Sequence, residues 1–469
     1  MTIFENVRIV NFNPPSVSGP VDVAVPGGGE PGSGGILEVG PGLSAKYPGA
    51  RRVSGAFLSP GLVCSHTHLY SALARGLTVP IKPSKDFAQI LVNLWWRLDR
   101  AIDLPILEAS ALAGLSDAAM CGVTSVIDHH AGPEAIDGSL SVIRKAYDEI
   151  GLRGILCYET TDRNGMEGAR AGIRENRRFA KEIDEERSKG PRGPGPGSGG
   201  SGSGGPNSGG PSSAGGRPLV DAMIGAHAGF TVGQESLEAL SDAMRATGRG
   251  LHIHLAEDRF DAVDSRYRFA LDPVERFDRA GCLGPKTVIG HGLWLTESEV
   301  EIMNARGSYL AHNARSNMNN AVGYNGLLHR HERVVLGTDG MGADMLEEFK
   351  FAVFRHRESG GPWWPPEFLA ALDRGNRIIE TYFGGTSGKV EAGANADLVL
   401  WDYDAPTPLD GDNVAGHFAF GLSSRSVLSV MVDGKFVVDG RKPLFDSRSI
   451  AAKARSEAAR LWKRMEERT

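Results

Sequence analysis

No CxxC pair occurs in this 469-residue chain, and its four cysteines, Cys64, Cys121, Cys157 and Cys282, are scattered. That spacing excludes a disulfide framework and a thiolate zinc site, so any metal must be held by histidine and carboxylate. Basic concentrations are also lacking: 51 Lys and Arg against 57 Asp and Glu leave a net charge of −6, which argues against a nucleic-acid polymer as partner. The opening residues MTIFENVRIVNFNPP have neither a basic start nor a sustained apolar stretch. No later run approaches the roughly 18 apolar residues of a spanning helix. These absences predict a soluble, cytoplasmic protein with no membrane partner.

The length fits one large domain with a smaller one. Residues 190–216, GPRGPGPGSGGSGSGGPNSGGPSSAGG, have almost nothing able to bury surface and read as a disordered, solvated surface-loop insert. A second Gly-rich patch at 26–36 reads as an elongated hairpin loop. Between them and beyond, short β-rich runs alternate with helical periodicity: FLSPGLVCSHTH, VTSVIDH, LRGILCYE, VDAMIGAH, GLHIHLAE, KTVIGHG, SYLAHN and RVVLGTD, separated by segments such as 105–122 and 234–248. Eight such units predict an α/β chain folded as a (β/α)₈ TIM barrel over 56–390. The strand-like pieces before residue 55 resemble those at 391–445, so the two ends are expected to form one small composite β-sandwich domain, closed by a helix over 446–469.

In such a barrel, chemistry gathers at the C-terminal strand ends. Seven of the eight runs carry a histidine or an aspartate towards their ends, in a chain with only 13 histidines. His66 and His68, two apart, share a strand face, whereas the adjacent His129 and His130 face opposite ways. With His254 and Asp339 from other strands they make a four-ligand set for a divalent metal that leaves room for water. His252 shares a face with His254, and spacing alone does not separate them. Glu257, three residues past His254, is placed to exchange protons with a metal-activated water. His291 is placed to polarise a substrate or bridge to Asp339, and Asp339 itself serves both catalysis and ligation. Trp96, beside Trp95, is read as a stacking contact for a planar ring, against the alternative of packing.

Taken in order, PGLVCSHTHLY, HIHLAE, GHG and LGTDG resemble the amidohydrolase superfamily, and within it the metal-dependent deaminase and chlorohydrolase branch. ALARGL, LWWRLDRAID, DHHAGPEAI and HNARSNMNNAVGY bring the resemblance closest to SsnA-type aminohydrolases. The resemblance implies one divalent ion, zinc by default with iron as the other option, on His66, His68, His254 and Asp339. It also implies Glu257 as proton shuttle, His291 assisting, and a substrate contact from His227 in GAHAGFT. No lysine ends the fourth run, so the site is expected to be mononuclear. Arg315, where relatives have a proline, is expected at the surface. The implied reaction is hydrolysis of a non-peptide C–N bond, at an amidine-like or amide carbon of a small heterocycle such as a purine or pyrimidine derivative. Ring opening or hydrolytic dehalogenation would use the same ligands, and an inactive binding homologue would have lost one of them. The resemblance also allows copies to associate through the barrel faces.

Overall fold

The computed structural model describes residues 1–27, 34–188 and 218–468; the 190–216 insert and residues 28–33 of the first Gly-rich patch lie outside the described residues. All eight expected barrel strands are present. They are Leu62–Thr67, Val123–His130, Arg153–Tyr158, a fourth broken into Val220–Ala222 and Ile224–Ala228, then Leu251–Leu255, Val288–His291, Tyr309–His312 and Val334–Leu336. They hydrogen-bond in chain order as two parallel sheets that part at the break in the fourth strand. Both seams are bridged. Thr67 pairs with Asp339, where the amides of Thr338 and Asp339 donate to the His66 carbonyl at 2.8 and 3.0 Å. Thr160 pairs with Ala226, and the His227 amide donates to the Thr160 carbonyl at 2.9 Å. The molecule is a (β/α)₈ barrel.

The run FLSPGLVCSHTH, expected as one strand, is two. Phe57–Pro60 lies between Thr2–Phe12 and Leu398–Trp401 in the sheet of the chain ends, and only Leu62–Thr67 enters the barrel. Gly61 makes the break, because a Cβ there would stand 2.0 Å from the Thr124 hydroxyl oxygen. The chain ends meet in one nine-stranded sheet, whose apolar cluster includes Phe4, Val23, Leu58, Leu398 and Met431. The helix Ser447–Glu466 follows it.

The outer helices are set by local chemistry. Asp103 caps Leu104–Met120 by accepting from the Ile106 amide, Pro105 occupies its first turn, and Ile106, Leu107 and Leu115 are buried. Each such aliphatic contributes roughly 1.5–3 kcal/mol by leaving water. Thr296 and Glu299 form a reciprocal capping box on Glu297–Arg306, which ends at the left-handed Gly307. Inside the barrel, Ile127, Ile155, Val288 and Val335 belong to one buried apolar cluster. With a side-chain period of two, His129 and Gly290 stand one step above Ile127 and Val288, so an apolar floor gives way to a polar mouth. Among the described residues no helix is long and apolar enough to cross a membrane.

Candidate metal centre and active site

His66, His68, His254 and Asp339 converge although they come from three strands: one ligand-capable atom of each lies within 4.8 Å of all the others. His66 Nε2 is 3.2 Å from His254 Nε2, and His68 Nε2 is 2.8 Å and His66 Nε2 3.8 Å from Asp339 Oδ1. Two ligand atoms on one tetrahedral ion, each about 2.0 Å from it, stand about 3.3 Å apart, which these separations bracket. The donor set therefore fits a divalent cation. Gly290 makes the convergence possible, since a Cβ at that position would press 3.1 Å from the His254 ring.

The rings are held from behind. His68 Nδ1 donates to the His129 carbonyl at 2.6 Å, which leaves Nε2 facing Asp339. His66 Nδ1 is hydrogen-bonded to His252 Nε2 at 2.8 Å, so His252 is the support of a candidate ligand and His254 sits at the mouth. Burial, then the neighbouring imidazoles, holds His66 and His254 well below the usual histidine range, the neutral form a cation needs. Burial opposes charge on His68, but Asp339 and Glu159 outweigh it and raise that ring well above the usual range. Burial likewise opposes charge on Asp339, and His68 outweighs it, holding this carboxyl well below the usual range.

Glu257 and His291 complete the group. Glu257 Oε2 lies 3.5 Å from His291 Nε2, which is 3.7 Å from Asp339 Oδ2. Burial and then Asp339 raise Glu257 well above the usual carboxyl range, suiting it to hold a proton as well as release one. His291 Nδ1 is bonded to Asn317 Oδ1 at 2.8 Å, and Asp339 Oδ2 accepts from Ser316. His291 and Asp339 both carry positive φ, 72° and 52°, conformations a non-glycine residue holds only under local constraint. Asn317→Ala is expected to lower kcat about 10- to 100-fold with metal content unchanged, by releasing the His291 ring; steady-state kinetics beside metal analysis checks this.

Ser316 and Asn317 ride on the short helix Ala314–Asn319, and Arg315 anchors it. The expectation that Arg315 lies at the surface is wrong: its Nε meets the buried Glu348 at 2.7 Å, while its other nitrogens reach Glu347 and the Gly342 carbonyl. The two glutamates sit more than thirty residues on, in the helix Met345–Glu358, so nothing local marked them. Arg315→Ala is expected to destabilise the fold by about 3–5 kcal/mol, because Glu348 would be left buried without its cation; denaturant unfolding measures it.

His68, His254, Glu257 and Asp339 open into a cavity of about 570 Å³, part of it open to solvent, whose walls include Tyr70, Trp95, Trp96, His227 and Phe230. Both tryptophans face it, carried on a π-helical turn, Leu91–Trp95, and the α-turn that follows. His227 Nδ1 is bonded to Thr231 Oγ1 at 2.8 Å, and its ring meets Trp96 edge-on at 6.4 Å. Two expected strand-end histidines turn elsewhere: His130 packs against Tyr70 and Tyr158, and His312 against Tyr324. Glu159, at the end of the third strand, is a site residue that the sequence motifs do not include. It lines the cavity, buried, 3.1 Å from His68 Nδ1.

A buried His₃Asp cluster with a carboxylate beside it at the mouth of a (β/α)₈ barrel is the arrangement of a metal-dependent hydrolase. The chain belongs to the amidohydrolase family, whose model matches residues 57–437, and it is a hydrolase of non-peptide carbon–nitrogen bonds. It is 26% identical to a 5-methylthioadenosine/S-adenosylhomocysteine deaminase of Thermococcus sibiricus, over 86% of this chain and 87% of that one. It is also 26% identical to a 5'-deoxyadenosine deaminase of Methanoregula boonei, over 98% and 96%. Among solved structures it is similar in fold to an adenosine deaminase from Xanthomonas campestris with bound zinc, with a TM-score of 0.79 at 22% identity and 98% coverage of both chains.

Proposed function

We propose that this chain is a zinc-dependent aminohydrolase that removes an amino group from a purine- or pyrimidine-like heterocycle, with adenosine derivatives the first class to test. The observation that carries the reading is the convergence of His66, His68, His254 and Asp339 beside Glu257 and His291, at the base of a cavity walled by aromatic rings. The relatives named as deaminases and the zinc in the neighbouring fold support the choice of reaction and metal. The domain division expected from the sequence, 1–55 with 391–445 beside a barrel of 56–390, is part of the same proposal.

His66, His68, His254 and Asp339 would hold a divalent ion, which would supply Lewis acidity and lower the pKa of a water there. Glu257 takes the proton of the attacking water on a carboxylate oxygen and returns it to the departing nitrogen. His291, fixed through Nδ1 by Asn317, keeps Nε2 against both Glu257 and Asp339, where it shares the proton traffic. Trp96 and His227 hold the ring and keep bulk water from its faces. The test is ammonia release by the zinc-loaded protein from adenosine, 5'-deoxyadenosine, methylthioadenosine, guanine and cytosine. Stoichiometric metal with no ammonia from any of them would sink the reading.

A further inference from the structure

Glu159 stands at the junction of the ligand wall and the substrate wall, and its carboxylate is under-used. It is 2% exposed, and its Oε1 is buried without a hydrogen-bonding partner among the described residues. His68 Nδ1 is 3.1 Å away, but that N–H is aimed at the His129 carbonyl. His129 Nδ1 lies 3.6 Å from Oε1, and His227 Nε2 lies 3.9 Å from Oε2, both beyond hydrogen-bonding distance. A buried carboxylate with no full donor is costly, so a structure that keeps one has a donor for it to meet.

A second cation is one source of that positive charge, but the ligand count disfavours it. The two triads that include Glu159 are His68–His129–Glu159 and Glu159–His227–His254. Each borrows a ring from the His66–His68–His254–Asp339 set. Without the borrowed ring two ligands remain, fewer than the three a protein-bound zinc ordinarily takes. The other source is the occupant of the cavity, which Glu159 lines together with Trp96, His227 and Phe230. A planar ring held between these aromatic groups would turn its edge, and any N–H on it, to the carboxylate.

We propose that Glu159 is a specificity-determining residue: its carboxylate accepts a hydrogen bond from a ring N–H, so the site prefers heterocycles with a proton on ring nitrogen, such as lactams, ureides or protonated amidines. Rings that carry N-methyl groups in place of N–H leave the carboxylate unpaired and are disfavoured, and an adenine ring, whose ring nitrogens carry only lone pairs, satisfies it when protonated on one of them. This deepens the reading of the cavity as a heterocycle site and rests on it.

The test is equilibrium binding to the zinc-loaded holoenzyme, which requires no turnover and so fails or succeeds apart from the aminohydrolase reading. Matched probes are uracil against 1,3-dimethyluracil, and xanthine against caffeine. Wild type is expected to prefer the N–H member of each pair at least tenfold. Glu159→Gln, whose amide offers its own N–H, is expected to bring the ratio within twofold with one zinc still bound, and Glu159→Asp to keep part of the preference. A wild-type ratio below three, including no detectable binding of either member, overturns the proposal. So does a preference that survives in Glu159→Gln, which would assign it to the bulk of the methyl groups. Loss of the zinc in Glu159→Gln would reassign the carboxylate to holding His68, and a second zinc equivalent present only in wild type would assign it to a cation; either overturns the proposal.

Discussion

Glu257→Gln is expected to lower kcat/KM by about 10³-fold while leaving zinc content and the fold intact, the middle of the range for losing a positioned acid–base group. Ala256, at φ 50°, turns the chain just past the fifth strand, and Glu257 follows it into the cavity wall. Its carboxylate is near His291 and Asn320 but belongs to no His66–His68–His254–Asp339 grouping, so the amide isostere removes a proton carrier and not a proposed ligand. Glutamine fills the same space and keeps a polar contact to Asn320. The loss should therefore fall on kcat, with KM nearly unchanged. Full activity with metal bound would remove Glu257 from proton transfer.

Asp339→Asn is expected to weaken zinc binding by at least about 10²-fold, beyond the range found for residues that only support ligands. Asp339 is the sole anion in its four-residue set, and its Oδ1 is within 3.8 Å of the Nε2 atoms of both His66 and His68. The amide keeps the size and removes the charge that balances a divalent ion among three imidazoles. It also replaces one of two carboxylate oxygens that are both in use, Oδ2 by Ser316 and Oδ1 by His68, so the His68 ring loses the larger of the two charges that favour its protonated form. Metal analysis after dialysis against a graded chelator series reads the effect. Wild-type retention by the variant would place the ion elsewhere.

Much of the candidate site was legible because two periodic rules meet in it. Alternation along a strand puts His66 and His68 on one face, and the barrel gathers its strand ends at one mouth, so His254 and Asp339 could be joined to them from 188 and 273 residues beyond His66. The choice between His252 and His254 was beyond spacing, since both point inward. Depth decides it: His252 is one pleat lower, where it meets the back of the His66 ring and stacks on His129. Glu159 stands at the end of LRGILCYE, the same kind of strand-end position as Asp339, but unlike Asp339 it belongs to none of the motifs that carry the resemblance.

Arg315 and the tryptophans show the other limit. Arg315 is made structural by Glu348, and Trp95 and Trp96 are both turned to the cavity by a π-helical register that no hydrophobic period encodes. By itself the sequence determined the α/β barrel, the family and the residue types able to hold a metal, because these follow from local periodicity and from motifs a few residues long. The tertiary structure alone decided which imidazole supports and which faces the mouth, which charges are buried, and that Glu159 Oε1 has no hydrogen-bonding partner among the described residues. Those properties depend on distances between strands and on exclusion of water, which arise only once the barrel closes.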